Sequence, residues 1–84
     1  MKSDHAAALL RALELLQKQD WQGAHVIVQE YEDDPIACRL HGLVHRIEGD
    51  PANARYWYGR AGVGFDEKRS VDDEIEAVRR LLAG

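Results

Sequence analysis

The chain has 84 residues, 45% of them apolar and 31% charged, and a net charge of −4. That is the size and composition of one small globular domain, 1–84, with no room for a catalytic unit beside a regulatory one. Eleven basic against fifteen acidic side chains argue against a general nucleic-acid binder, and no apolar run approaches the ~20 residues of a membrane span.

The opening residues, Met1-Lys2-Ser3-Asp4-His5, lack the long apolar stretch of a secretion signal, so cytoplasm is the expected compartment. A first helix is expected over about 4–18, where Leu9, Leu13 and Leu16 share a face with Ala6 and Ala12. Asp20 caps a second, about 21–32, with Ala24, Ile27, Val28 and Tyr31 on one side. Val26-Ile27-Val28 has local strand character, but no second strand pattern exists to pair with it. The acids Glu30, Glu32 and Asp33 sit at the wrong end of that helix for its dipole and read as solvated surface; Asp34 instead caps the next helix.

Asp34-Pro35 opens a third helix, about 35–48, carrying Ile36, Leu40, Leu43, Val44 and Ile47 and ending at Gly49. Asp50-Pro51 opens a fourth, about 51–61. Ala54, Trp57, Tyr58 and Ala61 gather on its inner face, while Tyr56 points away with Asn53 and Arg60. Residues 62–69, with two glycines and four charges, form a loop pinned by Phe65. Ser70 then opens a fifth helix, about 70–83, with the stripe Val71, Ile75, Val78 and Leu82, and Glu76 set to pair with Arg80 at i,i+4. The fold class is all-α.

Asp20-Trp21-Gln22-Gly23-Ala24 recurs in form, thirty residues on, as Asp50-Pro51-Ala52-Asn53-Ala54. A period of that length is the mark of stacked helical hairpins. Gly42, Gly49, Asp50, Ala54, Tyr58 and Ala61 stand at the spacing of the small and aromatic positions of a tetratricopeptide (TPR) repeat. Ala54-x-x-Trp57-Tyr58-x-x-Ala61 is also similar to the second helix of Sel1-like repeats, and "HRIEGDPANARYWYGRAG" resembles a stretch found in small bacterial and fungal proteins. The resemblance covers 35–62 well and 6–34 poorly. It departs at His41 and His45, where a leucine and an aromatic are expected. It implies two antiparallel hairpins, Trp57 and Tyr58 as filling between them, and the fifth helix covering the exposed end.

Arg39 and Arg46, two turns apart, lie on the side of the third helix away from its histidines. The resemblance implies that these positions line a face that receives peptides, where two guanidinium groups suit carboxylates. His41 and His45 share the other face at i,i+4, with Glu48 beside them and His25 on the preceding helix. These four form either a buried polar network or a set of metal ligands, without the glutamate that directly follows the first histidine of a zinc-protease helix. Cys38, the only cysteine, neighbours His41 at i,i+3, but a nucleophile needs an orienting group and a cleft that a two-layer helical stack of this size rarely offers. No catalytic residue and no cofactor are expected. The expectation is a non-enzymatic protein-interaction module touching a protein partner, or a second copy in a homodimer, through Arg39, Arg46, Asn53, Tyr56 and Arg60. The alternative is a metal- or small-ligand-binding protein using His25, His41, His45 and Glu48.

Overall fold

Five α-helices follow in the predicted order: α1 Lys2–Gln17, α2 Trp21–Val28, α3 Pro35–Glu48, α4 Pro51–Ala61 and α5 Val71–Ala83. The structure, a computed structural model, describes residues 2–66 and 68–83, with side chains from residue 5. Met1, Glu67 and Gly84, which fell within the expected domain and loop, lie outside the described residues. Among the described residues there is no strand.

The caps act as their residue types require. Asp34 Oδ1 accepts from the N–H groups of Ile36 (2.7 Å) and Ala37 (3.1 Å), Asp20 accepts from Gly23, Asp50 from Asn53, and the Ser70 hydroxyl from Asp73. Pro35 and Pro51 stand in the first turns, where their missing donors are not needed. The second helix is shorter than expected. After Val28 the chain tightens into a 3₁₀ turn, Gln29–Tyr31, where carboxylates crowd the negative end of the helix.

The thirty-residue repeat is visible in the turns. At the end of α1, the Asp20 N–H bonds the Leu15 carbonyl and the Gln19 N–H that of Leu16. At the end of α3, Asp50 reaches His45 and Gly49 reaches Arg46 in the same pattern. Both turns need a left-handed residue, filled by Gly49 (φ 89°) and, less comfortably, by Gln19 (φ 67°). Each turn folds its helix back on the next, giving the pairs α1/α2 and α3/α4.

Leu9, Leu13, Val28, Leu40, Leu43, Val44 and Val78 are fully buried and join α1, α2, α3 and α5 in one core. Gly42 allows α3 and α4 to approach closely: a β-carbon there would sit 3.1 Å from the Ala54 carbonyl oxygen and 3.2 Å from the Tyr58 ring. Trp57 and Tyr58 are buried in that contact, as expected, and Tyr56 is exposed.

The fifth helix joins the core beside the first helices of both pairs. It lies against α1 and α3, covering the first helices of the two pairs, and meets α4 only through side chains, where Glu74 comes beside the Tyr58 phenol. Ile75 and Val78 enter the core there, and Glu74 is buried beside them. The backbone of α4 therefore packs on that of α3 and on no other helix.

Candidate functional site

Two surfaces and the outward row of α4 gather the residues singled out by the sequence. The first lies where α3 meets α5. Arg39 donates from Nε and Nη2 to the two carboxylate oxygens of Glu74, at 3.1 and 3.0 Å, a bidentate fork. Arg69 Nε approaches the same carboxylate at 3.1 Å. Burial alone would raise the Glu74 pKa, but the two arginines outweigh it and hold the carboxyl below its ordinary value. Burial first, and the neighbouring Glu74 charge second, push the Tyr58 phenol up to about 12. Arg46 donates to the Arg69 carbonyl and lies 6.0 Å from the Phe65 ring centroid. Arg39 and Arg46 thus hold the chain's own α5 and the loop that leads to it. The carboxylate expected from a partner is supplied internally by Glu74. Its burial followed from nothing in the helical pattern, where it read as one of three acids in a first turn.

The outward row of α4 keeps the other three contact candidates. Tyr56 is 56% exposed, its ring edge-on to Trp57 at 5.1 Å, and the Arg60 guanidinium lies 5.1 Å above the same indole. Arg60 also donates to the Glu32 carbonyl at 3.3 Å. The Asn53 amide donates to Asp50 at 2.7 Å, and that bond lowers the Asp50 pKa.

The second surface is the histidine cluster. His25 on α2 and His41 on α3 face each other through their Nε2 atoms at 2.8 Å, one donating and the other accepting. The His45 ring centroid lies 5.1 Å from that of His41 and 5.3 Å from that of His25. One ring nitrogen from each of the three falls within 4.8 Å of the others. His41 is 3% exposed and stacks on Trp57, with centroids 3.8 Å apart and planes 12° from parallel. Its Nδ1 is buried without a hydrogen-bond partner. Burial, then the proximity of His25, His45 and Arg60, lowers its pKa from 6.5 to about 4, so the ring is neutral near pH 7. Glu48, expected as a possible third ligand beside His41 and His45, bonds His45 Nδ1 at 2.9 Å. It is placed to orient that ring and to fix its protonated nitrogen. Asp50 lies within reach of His45 and Glu48, a neighbour that sequence spacing did not bring forward.

The thiol and imidazole of Cys38 and His41 are not paired. Cys38 is buried and donates to the Glu32 carbonyl at 3.1 Å, and burial is the largest of the effects that raise its pKa. A recess of about 580 Å³ lies elsewhere, walled in part by Leu16, Trp21, Ile47, Val71 and Ile75. No helix among the described residues is long and apolar enough to cross a membrane. No protein family matches the chain, and neither does any curated protein or solved structure.

Proposed function

We propose that this chain is a non-enzymatic, TPR-like helical module that binds an acidic segment of a protein partner along the outward row of α4. The observation that carries this reading is a helix whose backbone packs on α3 and on no other helix, with a half-exposed tyrosine in its open row. Its residues Pro51–Ala61 include Arg55 and Arg60 and no acid, on a chain of net charge −4. A basic, aromatic strip on an acidic protein attracts carboxylates. Tyr56 supplies contact area at little entropic cost, and Arg60 a planar fork for a carboxylate. The repeated pairs α1/α2 and α3/α4, joined by equivalent turns, support the TPR-like reading of the scaffold.

Arg39 and Arg46 belong to the cohesion of the fold in this reading and are left out of the contact set. Tyr56, Arg60 and Asn53 remain in it, with Asn53 steadying the start of the helix. The test is affinity capture with the full chain from its native cell, beside a Tyr56→Ala/Arg60→Glu variant. A specific partner retained by the parent and lost by the variant, with an unchanged circular dichroism spectrum, is the expected result. An identical set of captured proteins for both would defeat the assignment.

Pairing with a second copy has one observation in its favour. Exposed Glu30, Glu32 and Asp33 lie near Arg60, so adjacent strips of opposite charge could meet under a twofold axis. Sedimentation equilibrium at low and high salt decides it: a salt-sensitive dimer supports self-pairing, and a monomer throughout rejects it.

A further inference from the structure

The geometry points to a divalent transition-metal site formed by the inward-turned imidazoles of His25, His41 and His45. Three observations converge on it. A nitrogen from each ring lies within one 4.8 Å group, the reach of a single ion. Two helices supply them, His25 from α2 and the i,i+4 pair His41/His45 from α3, so the set is fixed by tertiary packing and not by one flexible segment. And His45 Nδ1 is already held by a carboxylate, Glu48 Oε1 at 2.9 Å, which leaves its other nitrogen as the ligand. A carboxylate behind a ligating histidine fixes the tautomer and strengthens the donor. His41 is oriented by other means: the Trp57 indole lies flat against it at 3.8 Å.

The donor set names the class of ion. Three neutral imidazoles suit Zn²⁺, Cu²⁺ or Ni²⁺ and suit Mg²⁺ or Ca²⁺ poorly, since the latter require oxygen. The facing Nε2 atoms of His25 and His41 stand 2.8 Å apart. Tetrahedral zinc, with bonds near 2.0–2.1 Å, needs its nitrogens about 3.3 Å apart. The rings must therefore separate by roughly half an ångström on losing the proton between them, a movement that half-buried His25 can make while His41 stays pinned. Three protein ligands leave a fourth position for water or an exogenous ligand. Glu48 is a positioning residue here, acting through His45.

The experiment uses the full chain without a histidine tag, titrated near neutral pH first with Zn²⁺ alone and then with Co²⁺ alone. One equivalent of Zn²⁺ per chain is expected, with the intense visible bands of tetrahedral cobalt in the second titration. Imidazole ¹⁵N resonances of His25, His41 and His45 should shift on adding Zn²⁺ while those of His5, whose Nε2 lies 3.0 Å from Asp34, stay in place. His25→Gln and His45→Gln should each weaken Zn²⁺ at least 100-fold, and Glu48→Gln about 10-fold, in line with other residues that support a metal ligand. The absence of saturable binding would overturn the assignment. So would His5 shifting in place of the cluster, or an affinity unchanged in the folded His25→Gln variant. The nitrogen resonances need no substitution, so a variant that fails to fold does not remove the test.

Discussion

Gln19 occupies a left-handed turn that its counterpart thirty residues later fills with glycine. A β-carbon at positive φ is crowded against its own backbone, at a cost of about 1 kcal/mol or more. Glycine removes that crowding but gives back part of the gain as chain entropy. Gln19→Gly should therefore stabilise the fold by about 0.5–1 kcal/mol, read as a higher urea midpoint at unchanged slope. His41 makes the opposite kind of contribution. Its pKa falls from 6.5 to about 4 on folding, so the unfolded chain binds more protons throughout that interval. Stability is complete above 6.5 and declines as the pH drops toward 4. Linkage puts the loss between pH 7.5 and 5 at about 2 kcal/mol. Urea melts of metal-free protein should show it; a midpoint constant across that range would contradict the buried, neutral assignment.

At the level of elements, the crossing of α3 and α4 is set by Gly42. An added methyl group would meet a backbone oxygen at 3.1 Å, which cannot turn aside as a side-chain tip can. Overpacking of this kind costs about 1–3 kcal/mol, against roughly 1 kcal/mol returned by the better helix propensity of alanine. Gly42→Ala should thus lower stability by about 1 kcal/mol and shift Tyr58, whose ring lies 3.2 Å away. Thermal melts with near-ultraviolet dichroism check both. Gly59, on the same helix face sequence as the exposed row, has open space and should accept alanine with no such loss.

For the molecule as a whole, attachment of α5 depends on Glu74, the carboxylate shared by Arg39 and Arg69. Removing one member of a buried charge pair typically costs about 3–5 kcal/mol. Glu74→Ala strands two arginines and should fall in that range, whereas Arg69→Ala, which leaves the Arg39 fork in place, should cost about 1 kcal/mol or less because Arg69 is 44% exposed. Equal losses for the two variants, measured by urea unfolding, would refute the shared-carboxylate account. The native Glu74 pKa is depressed, so its contribution holds above the ordinary carboxylate value and fades as the pH falls through the lower native one. Much of this was legible in advance. Acid-proline pairs marked where α3 and α4 begin, and apolar spacing placed Leu9, Leu40, Ile75 and Val78 inside. The histidines were legible as a face of α3 joined by His25. What spacing along one helix cannot encode is which distant element meets that face. Glu74 looked like a first-turn acid because its partner lies thirty-five residues away, and α5 could not be docked until the arginines were seen to need it.

The route by which α5 is tethered has a further consequence. Its last covalent link to the rest passes through 62–70, where Gly62 and Gly64 lie exposed. A protease cutting there would leave the terminal helix held only by packing and one carboxylate. Strong salt would weaken that carboxylate's grip, and release would uncover a cationic trough with an oily floor. The nicked body would become a receptor for the peptide it had just shed.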